Sequence, residues 1–432
     1  MPLARRQAPG IKPSPTIAIA LRVTLASVLL ITREMDRHWR RVRTLLTDVP
    51  ESPEALALGI LARRNIIYNG FLLGRTQDEA FTLFAEAMEL ATRLDDPGHR
   101  VRLLNAYALV IMPRRVDEAL THLRESFRLA EQTQNDFLRF IARLPLSSVL
   151  AMSGRLREGL ALSEEAEAFA RDVPELETEP GASPYAALLE QRARMLAYLG
   201  RLQEANQTIE RAMDIARTRK GGAMFTHMRV VSICALTGDT PRALVHARRG
   251  MELVGDAGTT PLGRVAAFGA LGLACLLNGQ WGEAIEAMST AVGIRREAGG
   301  RLFYEEGELI TLAEAHLGAG DGARAREAVD RALTLARQSG WRIPEIRGLL
   351  ARARVLLTAE RAAAAAEITT TLRDALALVE TTEAHAFAPF IHVERAALAR
   401  LTGDEPTGER ERHEAHRLFV EIGAPLRAKP NF

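Results

Sequence analysis

The stretch from Ala193 to Ala212 reads ARMLAYLGRLQEANQTIERA. Apolar residues recur at helical spacing on both sides of Gly200, with Leu196 and Leu199 before it and Leu202 and Ile209 after it. That pattern predicts two helices joined by a residue in the left-handed backbone region, where glycine carries no Cβ penalty. Ala205 and Ala212 stand seven residues, or two helical turns, apart and so share one face of the second helix. Ala193, seven residues before the glycine, gives the first helix a small residue of its own. Two small faces allow two helix axes to approach closely, so the stretch predicts a tightly packed helix hairpin.

The same arrangement recurs along the chain. Gly74, Gly154, Gly200, Gly238, Gly279, Gly320 and Gly403 each follow one periodic segment and precede another. Small pairs seven apart follow the breaks: Ala80 and Ala87, Ala119 and Ser126, Gly159 and Ala166, Ala205 and Ala212, Ala243 and Gly250, Ala284 and Ala291, Ala325 and Ala332, Gly408 and Ala415. Their first members fall 39, 40, 46, 38, 41, 41 and then 83 residues apart, the last interval holding a degenerate unit. In the first helices the small position is Ser147, Ala193, Gly272, Ala313 and Ala396. A hairpin of this kind cannot bury its apolar face alone, so a fixed period predicts an all-α, right-handed helical solenoid with a period near 40. The expected organisation is a flexible segment over 1–15, about ten hairpin units over 16–423, two of them degenerate, and a tail over 424–432.

On these residues the chain resembles the tetratricopeptide repeat family: a small residue, a turn glycine, the EA of Glu204 and Ala205, and the late Ala212 come in the family's order. It departs from the family in its longer period and in lacking the frequent closing proline. Longer repeats of this sort are similar to the C-terminal sensor arrays of bacterial signalling ATPases of the maltose-activator, cyclase-associated and kinase-associated types. The opening Leu21–Leu30 and the closing Glu414–Pro425 resemble the end helices of such arrays. The resemblance implies a scaffold for protein interaction or effector sensing. The output machinery of those parents is not found: there is no GxxxxGK[ST] phosphate loop and no kinase motif set.

Composition narrows the class. With 47% hydrophobic and 25% charged residues in 432, the chain is a folded protein and not a disordered one. Fifty-six basic residues, all but three of them arginine, face 54 acidic ones, so no global charge draws it to nucleic acid or an anionic membrane. Two cysteines exclude a disulfide scaffold and fit a reducing compartment, so a cytoplasmic location is expected. The apolar run Thr16–Thr32 is interrupted by Arg22 and is too short for a membrane span; an amphipathic or buried helix suits it better than an export signal.

Four local features carry competing readings. His413 and His416 have metal-ligand spacing on one helix face, but no third ligand can be identified, so no metal and no cofactor are assigned. Cys234 and Cys275 each lie four residues before a turn glycine and read as small buried residues, not as a thiol pair. Nine basic residues in 1–47, with Trp39 among them, read as a basic first repeat in preference to a nucleic-acid contact. Glutamates abound without a converging acid–base pair, and no GxSxG is present, so no enzyme activity is expected.

Curvature of a solenoid gathers first-helix side chains on its concave side. The expected partner-binding residues there are Arg64, Tyr68, Glu190, Arg194, Phe225, Arg229, Tyr304, Glu306 and Glu314. The sequence therefore reads as a non-catalytic interaction scaffold of bacterial signalling or transcriptional regulation with a protein or peptide partner. The alternative is an effector-sensing array that binds a small molecule and works with a separate or lost ATPase, cyclase or kinase domain.

Overall fold

The computed structural model describes residues 32–73, 77–170, 183–217, 223–255, 261–297 and 305–428. Among them are 19 α-helices. A leading helix α1 (Thr32–Leu45) precedes nine hairpins. These are α2 (Pro53–Leu73) with α3 (Gln77–Leu94), α4 (Pro97–Ile111) with α5 (Val116–Glu131), and α6 (Asp136–Met152) with α7 (Leu156–Ala170). Then come α8 (Pro184–Tyr198) with α9 (Leu202–Arg217), α10 (Ala223–Thr237) with α11 (Thr240–Glu252), and α12 (Pro261–Leu277) with α13 (Trp281–Glu297). The last three are α14 (Glu305–Gly318) with α15 (Gly322–Ser339), α16 (Arg342–Ala359) with α17 (Ala365–Thr382), and α18 (Ala388–Leu401) with α19 (Glu405–Glu421). No helix among the described residues is long and apolar enough to cross a membrane. The run Thr16–Leu30 and the glycine at 74 lie outside the described residues.

The turn glycines do what their spacing predicts. Gly154, Gly200, Gly238, Gly279, Gly320 and Gly403 all have φ between 72° and 90°. Amides just beyond several of them bond back five residues, as Arg201 N does to Leu196 O at 2.8 Å and Asp321 N to His316 O at 2.9 Å, closing the last turn of the first helix. Where aspartate follows the glycine it also caps the second helix: Asp239, Asp321 and Asp404 accept from the amides of Arg242, Arg324 and Thr407. The degenerate unit turns without glycine, on Arg361 at φ 56°.

The small pairs form the helix seams. Ala80, Ala87, Ala119, Ser126, Ala166, Ala205, Ala212, Ala243, Ala284, Ala291, Ala325, Ala332 and Ala415 are all buried, as are Ser147, Ala193, Ala313 and Ala396 on first helices. A Cβ on Gly159 would lie 2.8 Å from the Ser147 carbonyl oxygen, so backbone meets backbone there. Ala212 is fully buried, and Ala212→Leu is expected to lower stability by about 1–3 kcal/mol through overpacking. A thermal melt checks this; an unchanged midpoint would show that the seam does not pass through residue 212.

Each first helix packs against the next first helix along the whole array, from α2 through α18. Helices on the inside of a curve are the ones crowded together, so the first helices form the inner wall. Pro145 interrupts the helical bonding of α6, and the wall repairs the defect. Asn105 of α4 donates to the freed Ile141 carbonyl at 2.9 Å, and Ser126 donates to Asn105 Oδ1 at 2.8 Å.

The array then coils until its successive turns touch. Ser339 Oγ donates to the Pro113 carbonyl at 2.9 Å, and Arg157 pairs with Glu383, both across 226 residues, between five and six periods. A Cβ on Gly340 would lie 2.9 Å from Val116 Cγ1, and one on Gly200 2.9 Å from Ile422 Cγ2. Leu202 N bonds to Ile422 O at 3.3 Å. Trp341, fully buried, joins an apolar cluster otherwise drawn from α1–α6, α12 and α13.

Candidate functional site: the inner wall

Counting back from each turn places one side chain per first helix at the same height on the inner wall. Six residues before the turn these are Tyr68, Ser148, Arg194 and Glu314, and in the degenerate unit Arg354 stands seven before Arg361. Several of them bond to their neighbours along the array. Arg194 Nη2 donates to Ser148 Oγ at 3.0 Å, linking α8 to α6. Thr226 of α10 donates to Glu190 of α8. Arg354 of α16 bridges Glu314 of α14 and Glu394 of α18, the latter at 2.7 Å. The wall is thus a polar ladder whose rungs join consecutive repeats.

Of the residues read from the sequence as partner-binding, the structure groups Glu190, Arg194 and Arg229 in one buried cluster, 7%, 5% and 8% exposed. Burial pushes the Glu190 carboxyl up to about 7, against the opposing pull of the Thr226 hydroxyl, Arg229 and Arg194. Glu306, also buried, is pushed up to about 7 by the same cause. Beside it in α14, Glu308 accepts from Arg295 of α13 at 3.0 Å. Glu314 stands apart from these, in the bridge with Arg354. Arg64 and Phe225 are half-buried and Tyr68 is 43% exposed, the most exposed of the described residues in this set. Tyr304 lies outside the described residues.

The bridge partners Arg354 and Glu394 were not read from the sequence, although a signal for them exists. Glu314, Arg354 and Glu394 are spaced 40 residues apart, one period each, with alternating charge. The other local features resolve simply. Cys234 and Cys275 are fully buried thiols, pushed up to about 12 and about 11 by burial. His413 Nδ1 bonds to the Glu409 carbonyl and His416 Nδ1 to the Ala428 carbonyl, each at 2.8 Å. No group of three metal-ligating side chains occurs among the described residues. Trp39 is core, and Arg40 and Arg43 pair with Glu79 and Glu86 of α3 at 2.6 and 3.0 Å.

No family model and no curated protein matches the sequence. Solved structures do match by fold. NprR in complex with its cognate peptide NprX superposes with a TM-score of 0.53 at 13% identity, over 84% of this chain and 99% of that one. The Rap conjugation gene regulator of the plasmid pLS20, in complex with the Phr* peptide, gives 0.51 at 14% identity, over 77% and 98%. A signal transduction ATPase with a tetratricopeptide repeat sensor from Pyrococcus horikoshii gives 0.44 at 12% identity, over 86% of this chain and 54% of that one. At these identities the likeness is one of fold: the chain is an all-α solenoid of tetratricopeptide-type hairpins.

Proposed function

We propose that the chain is a non-catalytic cytoplasmic scaffold of bacterial regulation whose inner wall holds a peptide or protein segment. The observation that carries this reading is the wall itself. Nine first helices run side by side, and α2 leaves Tyr68 open with Arg64 one helical turn before it. An extended partner can make many modest contacts along such a surface, and a partly exposed tyrosine beside an arginine is the kind of anchor that dominates binding. The two solved structures above with TM-scores over 0.5 are both complexes with peptides, and one of them is a conjugation gene regulator, which fits the same use of the fold.

Arg194 and Arg229 are too deeply buried to serve as probes, since their removal would disturb the ladder as well as any partner. The test therefore uses Arg64→Ala with Tyr68→Ala. The double variant is expected to keep the parent's circular dichroism and melting temperature and to lose about tenfold or more in recovery of the partner captured from native cells. Arg248→Ala with Arg249→Ala, on the exposed face of α11, is expected to recover it normally. The reverse outcome would place the partner on the outer face.

A further inference from the structure

The segment after α19 folds back against the wall. Ala424 N bonds to Phe419 O at 2.8 Å, Arg427 N to Ala424 O at 2.9 Å, and His416 donates to the Ala428 carbonyl at 2.8 Å. Ala424 is fully buried and Ala428 nearly so. This hook delivers one long side chain, Arg427, to a site made by the distant first helix α10 and the neighbouring α18. The stem of Arg427 lies over Gly238, where an added Cβ would come 3.2 Å from its Cγ and 3.3 Å from its Cδ. Its Nη2 donates to the Ala235 carbonyl of α10 at 2.7 Å, 192 residues away. Its guanidinium carbon stands 5.4 Å from the centroid of the Phe390 ring of α18. Burial and the charge of Arg354 hold the guanidinium below its ordinary value, with Glu314 opposing them.

A carbonyl and an aromatic face are features that an arginine fork recognises, and glycine at 238 leaves room for the stem. The chain's own arginine uses this site incompletely. Its Nε is buried with no hydrogen-bond partner among the described residues. A tether holds it at high effective concentration whatever the quality of its fit, so a better-presented arginine can compete.

We propose that the site lined by Ala235, Gly238 and Phe390 binds an arginine side chain of a partner peptide, and that Arg427 occupies it in cis until that peptide displaces the hook. The proposal rests on the inner-wall reading and gives the partner a chemistry: an arginine flanked by apolar residues, as in the chain's own Gly423–Ala428, GAPLRA.

The test uses the full-length chain and a fluorophore-labelled GAPLRA peptide with blocked ends. Arg427→Ala is expected to bind this probe about tenfold or more tighter than the parent does, because the competing side chain is gone. A probe with alanine for arginine should bind neither protein, and adding Phe390→Leu to the variant should weaken binding. Equal affinity for parent and variant, or binding that does not need the arginine, would overturn the proposal. So would a parental dimer that disappears in Arg427→Ala by light scattering, since the hook would then belong in a second copy. If Arg427→Ala does not fold, hydrogen exchange on the parent decides: excess unlabelled probe should speed exchange across 423–428, and unchanged exchange refutes displacement. Failure here, with the Arg64 and Tyr68 variant still losing its partner, would remove the arginine site and leave the inner-wall reading standing.

Discussion

Trp341→Ala is expected to lower stability by about 3–5 kcal/mol, the usual range for deleting a fully buried tryptophan. The side chain has no measurable exposure, and it belongs to a cluster built mainly from the first superhelical turn. Its neighbour Ser339 bonds to the Pro113 carbonyl, and Gly340 sits against Val116, so this is where the second turn is pinned to the first. The loss should therefore appear in shape as well as in melting temperature, with an increased radius of gyration in small-angle scattering. Trp281, 37% exposed, provides the control, and Trp281→Ala should cost much less. A Trp341→Ala variant with the parent's melting temperature and radius would show that the turns hold together without it.

Glu190→Gln is expected to stabilise the protein by about 3 kcal/mol at pH 8, by about 1 kcal/mol at pH 5, and to be nearly neutral below pH 4. The sign follows from linkage. The folded carboxyl titrates near 7 and the unfolded one near its ordinary 4.5, so between these values the folded chain binds the extra proton. Stability contributed by that proton is fully present below about pH 4.5 and is lost as pH rises through 7. Glutamine copies the neutral carboxyl in shape and keeps its neutrality at every pH. Glu306 adds a slope of the same sign, while His227, pushed down to about 4 by burial, works in the opposite direction as pH falls below 6.5. Variant and parent are therefore compared at each pH by denaturant titration, which cancels both. A variant destabilised at pH 8 would mean that the ionised Glu190 is held by Arg194 and Arg229 strongly enough to outweigh its burial.

The repeat was legible because its determinants are local. A left-handed turn favours glycine, as at Gly200 or Gly320, whatever surrounds it, and two helices in close contact need small residues two turns apart, as at Ala205 and Ala212. These demands recur with each hairpin and so leave a period in the chain. The same logic identified Cys234 and Cys275 as small buried residues. The candidate site was legible only in part. Register placed Glu190, Arg194 and Arg229 on first helices, but it carried no information on their depth, and the structure buries all three.

Burial on the wall depends on how sharply the array curves, which sums small rotations over many repeats and is written in no single one. The coil in turn brings Pro113 to Ser339, Arg157 to Glu383 and Ala235 to Arg427. No period or motif marks these pairs. What the sequence determined by itself is the hairpin and its repetition, because turn geometry and helix contact act within about 40 residues. Tertiary structure alone decided that the turns of the solenoid meet, that Trp341 pins them, and that Arg427 reaches the wall. Contacts between residues some 200 positions apart follow from accumulated curvature, which local chemistry does not specify.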